Sequence, residues 1–259
     1  MSSAVDISIV IPTFREQSNL ERLLPQLFGI LDRNVIRAEV VVIDDNSADG
    51  TDILCRELSA HHSLRLIVRR NERGLATAVL RGLKEAAGSI VVVMDADLSH
   101  PPEIVPILVR AVQSSDCDVA IGSRYVRGGS VDSKWSWFRR LNSRAATWLA
   151  RGLTDAADPL SGFFAIAKST LARAHSLNPL GYKILLELIV RCECQRIVEI
   201  PIHFQDRTLG NSKLSVKQQW LYVRHLFTLY RDRYFFRKLT VRQQNTERPQ
   251  PPTRRRKAA

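Results

Sequence analysis

At 259 residues the chain is long enough for one sizeable core and leaves little over for a second domain. Its 45% hydrophobic and 25% charged residues exclude a disordered or fibrous chain. The net charge of +12 is concentrated at one end: residues 237–259 hold eight Lys or Arg against one Glu, or +7, so 12 − 7 = +5 remains for the first 236.

That Pro-, Gln- and Arg-rich end predicts a disordered tail, either solubilising or attracted to anionic lipid. Met1 to Asp6 lacks the basic and apolar regions of a signal peptide, and no run of about 18 apolar residues suggests a membrane span. Cys55, Cys117, Cys192 and Cys194 have no CxxC spacing, which predicts reduced, buried thiols in a cytosolic protein.

In chain order, Ile7–Ile11 reads as a buried strand. Ser18-Asn-Leu-Glu21 offers a capping box for a helix carrying Leu20, Leu23, Leu24, Leu27 and Leu31. Val40–Ile43 is a second strand, a helix runs through Ile53, Leu54 and Leu58, and Leu64–Val68 is a third strand. A helix over about 75–87 leads to strand Ile90–Met94. Pro101-Pro102-Glu103 opens another helix, and Val119–Ile121 returns as a strand. Repeated βαβ units of this kind imply an α/β fold with a mostly parallel sheet covered by helices, with ligands at the carboxyl ends of the strands.

Residues 131–153 differ, mixing Trp135, Trp137, Phe138 and Trp148 with Lys134, Arg139, Arg140, Arg144 and Arg151. Ser161-Gly-Phe-Phe164 suggests a turn and Val198-Glu-Ile-Pro201 a late strand. A helix from Val216 carries Val216, Trp220, Val223, Phe227, Tyr230 and Tyr234 at spacings of 4, 3, 4, 3 and 4. With Lys217, Arg224 and Arg231 beside it, that stripe either packs on the core or lies in a lipid headgroup layer.

The chemistry centres on Met94-Asp95-Ala96-Asp97-Leu98-Ser99-His100-Pro101, two carboxylates two residues apart between a strand and a helix. Both can turn toward one hard cation, and Mg²⁺ or Mn²⁺ bound this way bridges to substrate phosphates. The bland alternative is an Asp-rich turn. Asp44-Asp45-Asn46-Ser47 followed by Asp49-Gly50-Thr51 ends a separate strand, as an Asx turn into a helix or as a carboxylate for ribose or base. There is no GxGxxG, GxxxxGK[ST] or HExxH, which excludes the usual dinucleotide, P-loop and zincin sites.

With Ile11-Pro-Thr-Phe-Arg-Glu16, Asp44 to Thr51, Asp95 to Glu103 and Gly122-Ser-Arg-Tyr125, the chain resembles the dolichol-phosphate mannose synthases. These are inverting family-2 glycosyltransferases of GT-A fold. Gly181-Tyr-Lys183, Glu187, Pro201-Ile202 and Arg207 to Leu214 continue the likeness.

The resemblance implies a GT-A catalytic domain over 1–212; spacing and composition add an amphipathic helix over 213–236 and the basic tail over 237–259. It places Pro12, Phe14 and Glu16 along base and ribose, Asp45 near the base, and Asp95, Ala96 and Asp97 at the diphosphate and its metal. Arg124, Arg207 and Lys213 would clamp phosphates, with Arg139 and Ser143 at the acceptor phosphate. Ser99 stands where relatives offer a third metal ligand, Phe14 where Tyr is usual, Arg15 for a frequent Asn, and Phe164 where many have Arg. Asp95, Asp97 and Arg124 carry the catalytic expectation.

The implied reaction moves a sugar, mannose from GDP-mannose, to a polyprenyl phosphate with inversion. A hydroxyl-directed enzyme or a UDP-glucose donor is the alternative. The implied setting is the cytoplasmic face of a membrane, peripheral to an anionic lipid surface, with room for a membrane-protein partner. Nucleic-acid binding would leave both acidic turns unexplained.

Overall fold

The computed structural model describes residues 5–114, 117–133, 135–174, 176–178, 183–206 and 219–233. It begins with β1 (Ile7–Thr13), α1 (Gln17–Arg33), β2 (Ala38–Asp44), α2 (Thr51–Ser59), β3 (Leu64–Val68), α3 (Leu75–Glu85) and β4 (Ile90–Val93). A 3-10 turn at Pro102–Ile104 precedes α4 (Val105–Gln113) and β5 (Val119–Ser123). Then come β6 (Ser130–Val131), α5 (Trp137–Ala150), β7 (Phe164–Ala167), the short α6 (Lys168–Leu171), α7 (Ile184–Arg191), β8 (Ile197–Pro201) and β9 (His203–Phe204). A last helix, α8, covers residues 219–233.

Seven strands form one sheet in the order β3-β2-β1-β4-β7-β5-β8, parallel except for β7, which runs antiparallel to β4 and β5. Alternate residues of each strand feed opposite cores, so the strands read as continuous apolar runs. Ile7, Ile9, Ile11, Val40 and Val42 pack under α1, α2 and α4, whereas Val10, Val41 and Ile43 pack with α3 and α7. Strand order reverses between β1 and β4: β2 and β3 build outward on one side, and α3 crosses back to place β4 on the other. A crevice opens at such a reversal, beyond the strands' carboxyl ends.

Several expectations change in detail. The capping box at Ser18 is not used, because α1 starts at Gln17. Asp49 Oδ2 accepts the Gln17 N–H at 3.1 Å, and Glu16 C=O accepts the Asn19 and Leu20 N–H groups at 3.0 and 2.9 Å. That leaves Ser18 inside the first turn. The four cysteines are free and buried as expected, with burial pushing the Cys55 thiol up to about 11.

On α8 the core takes a different face from the stripe seen in the sequence. Tyr222, Leu226 and Leu229 pack with Ala150, Leu153, Leu160 and Leu186, while Trp220, Val223, Phe227 and Tyr230 are exposed. Polar links reinforce that docking: His225 Nε2 lies 3.2 Å from Glu187 Oε2, and Arg191 pairs with Asp232 at 2.7 Å.

Buried polar groups at the amino ends of the strands hold the sheet together. Asp118 accepts the Gln195 and Arg196 N–H groups, both at 3.0 Å, and the guanidiniums of Arg173 at 2.9 Å and Arg196 at 3.1 Å. Burial pushes its carboxyl up, but these donors outweigh burial and hold it well below the usual carboxylate range. Asp118→Asn is expected to cost about 2 kcal/mol in chemical denaturation near neutral pH. Because the folded pKa is the depressed one, the wild-type advantage is complete above the ordinary carboxylate pKa of about 4. It should fade as pH falls through the lower folded value, so a difference independent of pH would contradict this account.

Candidate active site

The strand ends at the switch point bring seven of the predicted nucleotide residues together. Pro12, Phe14, Glu16, Asp45, Asp95, Ala96 and Asp97 line one cleft of about 160 Å³, joined by Thr13, Leu75 and Ala78. Parallel pairing of Thr13 with Asp44 aligns the ends of β1 and β2, and Met94 N–H donates to Val10 C=O at the end of β4. Phe14 is 38% exposed, with the guanidinium carbons of Arg15 and Arg73 at 5.3 and 5.0 Å from its ring centroid. An aromatic face open at the mouth of the cleft suits stacking of a base.

The turn reading holds for Asp44 and Asp49, while Asp45 lines the cleft. Asp44 accepts from the Ser47 N–H at 2.9 Å and from the Ser47 hydroxyl, and Asp49 Oδ1 accepts the Thr51 N–H at 3.1 Å. These are turn and helix-start bonds. Asp45 instead faces the cleft while pairing with buried Arg69. Its Oδ2 accepts the Gly74 N–H at 2.8 Å, and Gly74 C=O accepts from Arg69 at 2.9 Å. Gly74 sits at φ 138°, a conformation side-chain-bearing residues rarely adopt, and so lets the loop close over Arg69. Nothing in the sequence periodicity pointed to Arg69.

The Asp95–Ser99 loop is held from several sides. The Asp95 N–H donates to His100 Nδ1 at 3.1 Å, and Asp97 Oδ1 accepts from the Ser99 N–H at 3.1 Å and the Ser99 hydroxyl at 2.5 Å. Leu98 between them adopts φ 60°, strain that these bonds and the buried His100 sustain. Completely buried, Ser99 braces Asp97 from behind the cleft. Gly162 passes so close that a Cβ there would lie 3.1 Å from Asp95 Oδ2, which explains the glycine in the Ser-Gly-Phe-Phe turn.

Among the described residues no group of three or more His, Cys, Asp or Glu side chains could hold a metal by itself. Two carboxylates on one cleft nevertheless fit Mg²⁺ or Mn²⁺, hard cations that fill their remaining positions with water and substrate phosphate.

Next to the acidic loop lies a group of cations. Arg124 Nε and one terminal nitrogen reach Asp158 Oδ2 and Oδ1, each at 2.7 Å, and the Arg124 N–H donates to Oδ2 at 3.0 Å. Burial pulls the guanidinium pKa down, but Asp158 outweighs it and the net shift is upward. Glu199 holds this partner in place, accepting the N–H groups of Ala157 at 2.7 Å and Asp158 at 2.9 Å. Loss of solvent, then the charge of Arg124, draws Lys183 down to about 7 against the pull of Asp158 and Asp95.

Of the acceptor pair, Arg139 bonds Asp206 at 2.8 Å and stacks over Trp135 at 3.9 Å, while Ser143 accepts from the Tyr125 hydroxyl at 2.7 Å. Arg207 and Lys213 lie outside the described residues.

A mostly parallel sheet with paired carboxylates at its switch point and cations beside them defines a nucleotide-sugar-binding fold of the GT-A type. The model of glycosyl transferase family 2 matches residues 8–169, and the chain belongs to that family. A protein of Pyrococcus furiosus named dolichol-phosphate mannosyltransferase is 42% identical over 227 residues. That match covers 86% of this chain but 63% of the relative, less than two thirds of its length. Proteins of the same name from Mycosarcoma maydis and Saccharomyces cerevisiae are 41% and 39% identical, covering 90% and 88% of this chain and 82% and 88% of theirs.

Among solved structures, glucosyl-3-phosphoglycerate synthase from Mycobacterium tuberculosis, in complex with Mn²⁺, UDP-glucose and glycerol 3-phosphate, shares the fold at 20% identity. Its TM-score is 0.62, over 88% of this chain and 80% of that one.

Asp158 holds Arg124 from two sides, a pairing that spacing did not reveal. Asp158→Asn keeps its shape but removes the charge facing Arg124, and is expected to lower turnover about tenfold or more and stability by about 2–3 kcal/mol. Arg124→Lys, which keeps a cation but loses the two-pronged grip on Asp158, should lose turnover similarly. Initial rates beside melting curves test this, and wild-type rates in either variant would refute the positioning role.

Proposed function

We propose that this chain transfers mannose from GDP-mannose to a polyprenyl phosphate, inverting the anomeric carbon. The relatives named dolichol-phosphate mannosyltransferase, at 39 to 42% identity over most of the chain, carry the choice of sugar and acceptor.

In this reading the donor's base lies against Phe14 and its diphosphate beside Asp95 and Asp97. Held by those carboxylates, Mg²⁺ or Mn²⁺ would offset the charge that builds on the diphosphate. An oxygen of the acceptor phosphate attacks C1, the bond from C1 to the diphosphate breaks, and its electron pair leaves with the nucleoside diphosphate. Arg124, fixed by Asp158, presents positive charge toward the departing group. Arg207 and Lys213 are proposed to add phosphate contacts.

Deprotonation needs no dedicated residue. A phosphate monoester with a second pKa of about 6 is already dianionic above neutrality. Residues 134–151, proposed to meet the acceptor, contain no Asp, Glu or His but several Arg. A sugar hydroxyl, by contrast, would require a base.

The test is incubation of the full chain with polyprenyl phosphate or free polyprenol, Mg²⁺ or Mn²⁺ and a panel of sugar nucleotides, followed by identification of the glycolipid. Mannosyl phosphoryl lipid from GDP-mannose is expected, with no product on polyprenol. EDTA, Asp95→Ala and Asp97→Ala should each cut transfer by about a hundredfold or more. Equal transfer to polyprenol, or full activity in EDTA, would reject the mechanism.

A further inference from the structure

His100 is almost completely buried beside the acidic loop, yet no step of the transfer uses its ring. Pro101 follows it and disfavours a helical backbone at position 100, so the helical turn waits until Pro102–Ile104. The chain bends at His100, and the ring's Nδ1 accepts the Asp95 N–H at 3.1 Å. That bond uses the Nδ1 lone pair and leaves the ring proton on Nε2, which lies 3.9 Å from Asp95 Oδ2. One ring thus grips Asp95 by its main chain and faces its carboxylate with an N–H.

Aromatic neighbours hold that ring in place. Phe163 stacks on it at 5.1 Å with the planes 13° apart, and Phe204 meets it edge-on at 5.5 Å. Gly162 leaves no slack: a Cβ there would lie 3.2 Å from His100 Cε1 and 3.1 Å from Asp95 Oδ2. Phe204 also meets Trp135 edge-on at 5.6 Å, and the guanidinium carbon of Arg124 lies 5.4 Å from its ring centroid. Arg139 rests on Trp135 in turn, at 3.9 Å. The cluster is therefore a common footing for Asp95 and for the two cations beside it. The backbone repeats the link, since Ser99 C=O accepts the Gln205 N–H at 3.3 Å.

Packing alone does not call for an imidazole here. A phenyl ring would fill the same stack without two polar nitrogens to desolvate. What the imidazole adds is an acceptor for the Asp95 N–H and a donor facing Oδ2. Among the described residues no third His, Cys, Asp or Glu groups with Asp95 and Asp97 to hold a metal. A cation with so few protein ligands depends closely on how those two are aimed. Groups that orient a metal ligand change metal affinity about ten- to a hundredfold when they are lost.

We propose that His100 is a positioning residue for the divalent cation: through Asp95 it fixes the direction in which the acidic pair meets the metal and the donor's diphosphate. The proposal rests on the reading of Asp95 and Asp97 as the carboxylates that hold the metal.

The experiment is titration of the full chain with Mn²⁺ in the presence of GDP or UDP, following the loss of the free-ion signal in electron paramagnetic resonance. Melting curves of each variant accompany it. His100→Phe keeps a ring for Phe163 and Phe204 but removes both polar nitrogens, and should weaken Mn²⁺ binding about tenfold or more. His100→Asn fills less of the cluster but offers its side-chain carbonyl to the Asp95 N–H. It should therefore bind Mn²⁺ more tightly than His100→Phe. A packing role alone requires the reverse order, because the phenyl ring preserves the stack.

Mn²⁺ binding by His100→Phe at the wild-type affinity would overturn the proposal, and so would weaker binding by His100→Asn than by His100→Phe. In either case wild-type binding would leave the carboxylate reading standing. A wild type that binds no Mn²⁺ with either nucleotide would remove that reading and the role of His100 together.

Discussion

A sheet covered on both faces can place charged groups only where its strands end, and this constraint organises the whole molecule. At the amino ends polar groups are closed in on themselves: Glu39 accepts from Ser8, Ala87 N–H and Arg65, and Ser8 accepts from Gly88 N–H. Burial raises the Glu39 carboxyl, yet those donors bring its pKa below the ordinary value. Such satisfied networks contribute to stability and offer little to a ligand. At the carboxyl ends the chain opens, and Asp45, Asp95 and Asp97 line a common cleft because β2, β1 and β4 are neighbours in register.

Within the open end, charges are restrained by partners. Asp45 holds Arg69, Asp158 holds Arg124, and Asp206 holds Arg139. A paired cation loses little freedom when a phosphate arrives, so its field is in place before the ligand is. The cost is local strain and desolvation. Leu98 stands at φ 60°, and Lys183 has its pKa drawn to about 7 by burial and by Arg124.

The parallel half of the fold was legible because apolar runs and helical spacing there repeat with few interruptions, and the cleft residues followed strands directly. β7 was not, because an antiparallel strand inserted between β4 and β5 is set by distant pairing and leaves no periodic mark on Phe164–Ala167. Asp158, Glu199 and Arg69 escaped for a related reason. Each acts through a residue far away in the chain, so neither spacing nor a short motif advertises it. The Ser18 capping box failed because a tertiary bond to Asp49 fixed the start of α1 two residues earlier.

Helix α8 shows where periodicity itself runs out. Trp220, Val223, Phe227 and Tyr230 make the more conspicuous stripe, yet the core takes Tyr222, His225, Leu226 and Leu229. A helix with two apolar faces carries two possible registers of burial, and its own sequence does not choose between them. The choice is made by complementary chemistry: Glu187 and Arg191 on α7 receive His225 and Asp232, and the backbone carbonyls of Ala146 and Leu149 receive tyrosine hydroxyls. Turning α8 to bury the other stripe would break the Arg191–Asp232 pair and expose Leu226 and Leu229 in exchange for Trp220 and Phe227. Polar partners buried beneath the helix thus determine which aromatic residues are left at the surface.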